Sequence, residues 1–357
     1  MLELDGSQGE GGGQILRTAL FLSLLLQKPF RLTRIRAGRP KPGLKAQHAT
    51  ILRLLTDMTG SQAECPRMDG AASGPIRVGA PEVTFRPGAH RAGSWTADIG
   101  TAGCIPLLLQ TILPVAIATP GRTRLEIIGG THVPFGPTAD WLRLAYLPYV
   151  APLATITMEV ARVGFAPEGG GRVVVEVVQE DKDAATADGM RALVKSRLGA
   201  RRLQQAAIAK VTVRSIAEKR LGRDVARRQA MAALAQLLGT GPAPQVDIED
   251  VEAAGLGSAV TCAIEDTAGN RLASDRLGSR GTPAERVGEL AARNLVEDWK
   301  TGATVDRHLM DHVVPWIALG AGAVKVPHST PHLETNAWLC NQFLGDWTVR
   351  TDRNIVR

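Results

Sequence analysis

The chain has 357 residues, 44% hydrophobic and 22% charged, enough apolar content for about two domains with real cores and too much for a disordered or low-complexity protein. A net charge of +7 and a pI near 9.5 favour a polyanionic partner. Four cysteines, Cys65, Cys104, Cys262 and Cys340, stand far apart with no C-x-x-C pair, which signals neither zinc nor a disulfide framework and fits a reducing cytoplasm.

The stretch DGSQGEGGGQILR, Asp5 to Arg17, reads as strand, Gly-rich loop and helix. Glycines let the backbone approach a ligand, and the free N–H groups opening the helix favour an anion, phosphate above all. The spacing matches neither the dinucleotide fingerprint nor a Walker loop. On these residues alone a phosphate cradle and a structural turn stand side by side. Glu10 would repel a phosphate unless a divalent cation lay between them; otherwise it is a first-turn acid complementing the helix dipole. Arg17 is the one charge in an apolar helix, Ile15 to Leu26, and calls for an anion. That run is too short to span a bilayer and is entered through glycines, so neither a membrane span nor a targeting segment is expected.

Phe30 to Ala37 alternates as a strand, and IRAGRPKPGLKAQH leads into a helix ending at Gly60. Between Gly11 and Thr56 nine cations meet no carboxylate: Arg17, Lys28, Arg31, Arg34, Arg36, Arg39, Lys41, Lys45 and Arg53. A solvated face normally mixes signs, so a nucleic-acid groove is favoured. His48 falls on the apolar stripe of the second helix; a satisfied core histidine is the default, and its neighbours Gln47, Arg36 and Arg39 carry the alternative of a site-lining role.

GEGGGQILR, followed by IRAGRPKPGL and QH, resembles the RNA 3′-terminal phosphate cyclase family, and the likeness runs to the end of the chain.

The plan then repeats: strand Ser94 to Ile99, GTAGCIPLLLQTILP as loop and helix, strand Arg122 to Ile128, loop GGTHVPFGP, and helix Thr138 to Tyr149, with strands Thr155 to Val160 and Val173 to Val178 closing the unit. A third copy is expected to begin near Val173. Its helices come only later, as DRHLMDHVVPWIAL and HLETNAWLCNQF, so an insert interrupts it. Strands at Lys210 to Arg214 and Ala259 to Ile264, with helices Arg223 to Leu238 and Pro283 to Trp299, make that insert a small α+β domain. The expected fold class is α/β in layers, with three strand-helix units resembling enolpyruvyl transferase domains. Residues 1–179 and 303–357 form the catalytic part and 180–302 the insert. Members of the resembled family carry an insert here, similar in fold to the C-terminal domain of translation initiation factor three. From Arg191 to Arg228 there are twelve basic residues against two acidic ones, a candidate track for RNA.

VPHSTPHLETNAW places His328 and His332 before an apolar helix, where the dipole keeps an imidazole neutral; either could be only a cap. The resemblance implies that His332, in its Pro-His-Leu-x-Thr-Asn setting, takes AMP from ATP, with His328 left in a structural or rim position. The AMP passes to an RNA 3′-phosphate, and the neighbouring 2′-hydroxyl closes a 2′,3′-cyclic phosphate. It further implies that Glu10 binds Mg²⁺ or Mn²⁺, and that Gln14, Arg17, Arg36, Arg39, Gln47 and His48 line the triphosphate and RNA-end pocket. Gln110 and the segment His308, Leu309, Met310, Asp311 and His312 hold adenosine, with Pro137 stacked on the base. Some members open that segment with tyrosine and end it Asp-Gln, so His308 and His312 depart from the pattern. Two rivals are a non-catalytic relative acting in ribosome assembly, which lacks the nucleophilic histidine, and an enolpyruvyl transferase, which needs no adenylylation.

Overall fold

A computed structural model describes residues 1–66, 74–320, 322–345 and 354–356. The first unit runs β1 (Leu2–Asp5), α1 (Gln14–Leu26), β2 (Phe30–Thr33), α2 (Ala46–Thr59), β3 (Gln62–Glu64) and β4 (Val83–Arg86). Its sheet has the order β1-β2-β4-β3, the first pair parallel and the others antiparallel. The second unit follows the same order of elements: β5 (Gly93–Asp98), α3 (Ile105–Ile117), β6 (Gly121–Gly129), α4 (Ala139–Trp141) continued by a π-helical stretch into α5 (Leu147–Val150), then β7 (Thr155–Arg162) and β8 (Gly171–Gln179). Its sheet, β5-β6-β8-β7, repeats both order and polarity. The α/β repeat read from the sequence is therefore present at the level of hydrogen-bonded topology.

The chain goes on through α6 (Ala187–Leu198), β9 (Arg201–Arg202), β10 (Ile208–Glu218), α7 (Val225–Leu237), β11 (Gln245–Val251), β12 (Ser258–Asp266), β13 (Arg271–Leu277), α8 (Ala284–Lys300), α9 (Leu309–Gly320), β14 (Ala323–Lys325), α10 (Pro331–Leu344) and β15 (Asn354–Val356). β14 pairs parallel with β9 and antiparallel with β15. That is the start of the same plan, so the third copy opens at β9, and the inserted sheet β11-β10-β12-β13 enters between its first strand and its first helix.

Two expectations change here. Val173 does not begin a third copy, because β8 is paired along its length to β6 and β7 and closes the second sheet. The start of the insert at residue 180 also shifts: α6 packs on α9, with Met190, Val194 and Leu198 in the main core. The inserted sheet has a core of its own around Val213, Val260, Ile264, Leu272, Ala291 and Leu295. Its other face is closed by the main body, since Ala263 and Ala273 belong to the main core and Thr138 donates its backbone N–H to Asp275 at 2.6 Å. Within the catalytic segment expected at 303–357, residues 321, 346–353 and 357 lie outside the described residues. The strand expected to reach Ala37 stops at Thr33, because Arg34 and Arg36 adopt φ of 51° and 54° and turn the chain away.

Helix α1 is the centre of the packing. Every residue in it except Arg17 is buried, and it lies against α3 and α10. A helix apolar on all sides has no stable place except between other elements, and its position fixes the Gly-rich loop that feeds it. No helix of the described residues is long and apolar enough to cross a membrane.

Asp306, fully buried, joins the insert to the third unit. Its carboxylate accepts from the backbone N–H of Ala273 on β13 at 3.0 Å and from His308 and Leu309 at 2.8 Å each, capping α9. Burial pushes its pKa up to about 6 against the pull of those donors. Asp306→Ala strands three donors and should lower unfolding free energy by roughly 2–4 kcal/mol. Urea melts check this; a change under about 1 kcal/mol would mean that water replaces the carboxylate without loss.

Candidate active site

The first and last helices of the chain meet at the Gly-rich loop. Thr330 caps α10, its hydroxyl accepting from the N–H of Leu333 at 3.1 Å, and Pro331 opens the helix where no N–H is needed. This brings His332 into the first turn with its Nδ1 3.0 Å from Glu10 Oε2. An ionised carboxylate only accepts, so Nδ1 carries the proton and Nε2 keeps its lone pair. Burial lowers the His332 pKa, with Arg17, Arg39 and His308 adding to it and Glu10 opposing, so the ring is neutral at pH 7.

Glu10 Oε2 also lies 3.4 Å from Arg39. Gln14 donates to the backbone carbonyl of His332 at 3.1 Å, tying the start of α1 to the start of α10. No side chain caps α1, whose N-cap is Gly13. A Cβ at Gly13 would collide with His48 Nε2, so glycine is required there by the approach of the second helix. His48 is 3% exposed; its Nδ1 accepts the Lys45 N–H at 3.1 Å, and burial with Arg17, Arg36 and Lys45 pushes its pKa down to about 3. The core-histidine reading and the site-lining reading thus meet in one residue: His48 is buried, and it is buried against the loop.

Behind the loop lies a cavity of about 30 Å³ lined by Gln14, Arg17, Thr18, Gln110, Asp311, His312 and Asn336, among others. It holds a water or so and excludes a nucleobase in this form. Gln110 is 8% exposed, yet both its amide atoms lack a partner, the signature of a group awaiting water or a ligand. Arg17 has no carboxylate partner among the described residues, and burial lowers its pKa to about 10, leaving it charged at neutral pH. Asp311 sits on the opposite wall with its pKa raised to about 7, by burial first and then by Asp306 and Glu10, against a 3.1 Å hydrogen bond from Thr330. His312 is pushed well below the ordinary histidine range by burial and meets Trp141 and Tyr146 edge-on.

The remaining expected residues are placed as follows. Gln47 accepts the N–H of Cys104, the N-cap of α3, at 3.2 Å and so joins the first two units. Arg36 is 7% exposed and spends its guanidinium on the carbonyls of Lys41 (2.6 Å) and Gly43 (3.1 Å), shaping the loop that carries Arg39. Pro137 is half-buried beside Cys104, whose thiol donates to its carbonyl at 3.6 Å. Leu309 and Met310 lie in the hydrophobic core, leaving only their backbones for any ligand, while His308 is exposed outside the cavity. His328 is exposed and does not join this group.

Three of the nine cations of residues 11–56 meet carboxylates of the described residues in space. Arg31 pairs with Glu82 at 2.7 Å, Arg34 with Asp5 and Arg39 with Glu10, all carboxylates outside that window. Lys28 and Arg53 donate to the carbonyls of Phe343 (2.6 Å) and Ile76 (3.1 Å). Arg17, Lys41 and Lys45 are left without a carboxylate among the described residues. In the basic segment 191–228, four of the twelve cations pair with carboxylates among the described residues: Arg214 with Asp247 at 2.9 Å, Lys219 with Glu252 at 2.8 Å, Arg220 with Glu218 at 2.8 Å and Arg228 with Glu285 at 2.6 Å. Sequence reading missed Thr18 and Thr330, and met Asn336 only as the end of the Pro-His-Leu-x-Thr-Asn setting. Thr330 was accessible from the Thr-Pro signature of a helix start; Thr18 carried no signal, since only the fold brings it to Asn336.

A sequence model described as RNA 3′-terminal phosphate cyclase matches residues 8–348. The chain belongs to the RNA 3′-terminal phosphate cyclase family. Relatives with that name include one from Pyrobaculum neutrophilum, 39% identical over 96% of this chain and 93% of its own. Another, from Desulfurococcus amylolyticus, is 37% identical over 99% and 94%, and one from Pyrococcus furiosus 36% identical over 97% and 94%. The family match spans α1, α10 and His332 and begins within the Gly-rich loop.

His48 also sets a pH dependence. Its folded pKa of about 3 lies below the unfolded value of 6.5, so the unfolded chain takes up a proton that the folded chain refuses. This contribution is fully present above pH 6.5 and is lost as pH falls, by about 2 kcal/mol at pH 5. The stability of the wild type relative to His48→Gln should therefore drop by that amount between pH 7 and pH 5 in urea titrations. A pH-independent difference would show that the imidazole is accessible to protons when folded.

Proposed function

We propose that this protein uses ATP to convert an RNA 3′-terminal phosphate into a 2′,3′-cyclic phosphodiester, through AMP carried on His332. The observation that supports this most directly is the 3.0 Å contact between His332 Nδ1 and Glu10 at the mouth of an uncapped helix. With the proton held on Nδ1, Nε2 attacks the α-phosphorus of ATP; an N–P bond forms, the bond to the bridging oxygen breaks, and pyrophosphate leaves with the electron pair. The imidazole becomes cationic as this happens, and Glu10 is placed to stabilise that charge. An oxygen of the RNA 3′-phosphate then displaces the imidazole from the adenylate. The ribose 2′-hydroxyl attacks the 3′-phosphorus, gives up its proton and expels AMP.

Every step gathers negative charge on phosphoryl oxygens. Arg17, the free N–H groups of α1 and the partly paired Arg39 are positioned to meet it. A divalent cation would add charge neutralisation at these oxygens. Among the described residues no group of three acidic, histidine or cysteine side chains could hold one. A single carboxylate, Glu10, fits a Mg²⁺ or Mn²⁺ site completed by phosphate oxygens and water. In this reading Gln110, Asp311 and His312 face the nucleoside once the cavity opens, and residues 1–179 and 303–357, with α6, form the catalytic body in the cytoplasm. The alternative, a non-catalytic RNA-binding relative, is disfavoured by a neutral histidine held against a carboxylate.

Incubation with ATP labelled in the α-phosphate tests this. The wild type and His328→Asn should acquire protein-bound label that is acid-labile and stable to base, while His332→Asn should bind ATP, fold normally and acquire none. Label on His332→Asn, or its loss only in His328→Asn, would overturn the assignment. Glu10→Gln should slow label transfer by about 10²-fold or more through loss of the imidazole's orienting partner. A shifted metal titration in that variant supports the cation role, and an unshifted one with slow transfer assigns Glu10 to His332 alone.

A further inference from the structure

Phe135 is the one aromatic among the exposed large hydrophobic side chains of the described residues, and at 103% exposure its ring is left uncovered by them. Its backbone has φ of 67°, a left-handed conformation that a bulky residue adopts only under constraint and that tends to mark functional positions. The constraint is visible on both sides. Val133 and His132 before it are buried, Gly136 after it has no room for a Cβ against the Cys104 sulfur, and the Pro137 carbonyl accepts the Cys104 thiol. Thr138 donates its N–H to Asp275 and caps α4 through the Trp141 N–H at 3.0 Å. The loop is pinned, and the ring is held out rather than left out.

The place matters as much as the posture. Cys104, which carries this loop, is bonded to Gln47, and the next residue, His48, abuts Gly13 at the start of α1. The loop that carries the ring is thus tied, through Cys104 and Gln47, to the helix whose His48 packs against the Gly-rich loop. We propose that Phe135 is the platform on which a nucleobase of the RNA end stacks while its terminal phosphate enters the cradle. This rests on the function proposed above and names a contact for its substrate. A π-face held out in solvent suits a base that need not be read, since every base has such a face. The adenine of ATP, which must be told from other bases, requires hydrogen bonds to its edge, which a phenyl ring cannot supply.

Binding of a short fluorescent RNA with a 3′-phosphate, measured by anisotropy without ATP, tests the platform independently of catalysis. Phe135→Ala should weaken binding about tenfold, and Phe135→Trp should restore it. The penalty should disappear on an RNA whose last two nucleotides are abasic, and label transfer from ATP to the enzyme should be unchanged. Phe135→Gly relieves the left-handed backbone, so it should melt no lower than the wild type yet bind RNA as poorly as the alanine variant. An equal penalty on abasic RNA, no penalty on normal RNA, or a raised ATP requirement for labelling would each overturn the proposal, the last by assigning the ring to adenine. Absence of labelling in the wild type would instead sink the cyclase reading and leave the binding result to stand on its own.

Discussion

The site depends on a short chain of hydrogen bonds that locks the first helix of the protein to its last. Thr18 on α1 donates to Asn336 on α10 at 2.8 Å; the Asn336 amide donates to the carbonyl of Asp311 on α9; and Thr330, the cap of α10, donates to the Asp311 carboxyl at 3.1 Å. Thr18 and Asn336 are 318 residues apart in sequence. Apolar packing alone would let α10 rotate or slide against α1 at small loss, whereas buried polar groups accept only the partner they have, because an unmatched one costs about 1–3 kcal/mol. The chain thus converts two greasy surfaces into one register, and that register decides whether His332 faces Glu10 or solvent.

Charge is arranged on the same principle. Of the nine cations that look unopposed along residues 11–56, Arg31, Arg34 and Arg39 meet carboxylates and Lys28, Arg36 and Arg53 donate to carbonyls, contacts that hold the loops although each surface ion pair contributes under about 1 kcal/mol. Of the remaining three, all without a carboxylate among the described residues, Arg17, the one residue of α1 that is only partly buried, lines a cavity that Asp311 also lines. Burial favours loss of charge from both, and they respond in opposite senses. Arg17 stays cationic with a pKa near 10, while Asp311, near 7, is poised between its two forms. An anion brought near would tip Asp311 further towards its neutral form and leave the charge of Arg17 unopposed.

Much of the fold was legible in the residues. Alternating strand and helix patterns gave the repeat, and the two complete copies prove identical in strand order and polarity. The error at the third copy has a physical source. β8 and β9 are both strands followed by breaks, but β9 is two residues long and carries no apolar alternation, so nothing local announces it. The amphipathic, cationic α6 reads like the helices of the insert although its apolar stripe faces the main core. In the site, Glu10 and Arg17 carried signals because a carboxylate among glycines and a lone charge in an apolar helix are local, while Gln14 and the choice of His332 over His328 came from the family resemblance. Phe135 carried none, since exposure and a positive φ are properties of a placed chain.

Glu10 shows how one carboxylate can serve two requirements that seemed to compete. As a neighbour of a phosphate site it needs a cation; as a partner of His332 it needs an imidazole N–H. The contacts to His332 and Arg39 both fall on Oε2, so the carboxylate is oriented through one oxygen, and Oε1 has no hydrogen-bond partner among the described residues. Orientation by the first oxygen would lower the entropy lost if the second took a ligand, and a cation there would draw electron density from the carboxylate and loosen its hold on the imidazole proton. On the function proposed above the two roles would be coupled in sign, a bound cation leaving Glu10 a poorer acceptor and the imidazole a weaker base. Attack by Nε2 would then rely on position more than on basicity, as suits a site of backbone donors with Arg17 and Arg39 beside it.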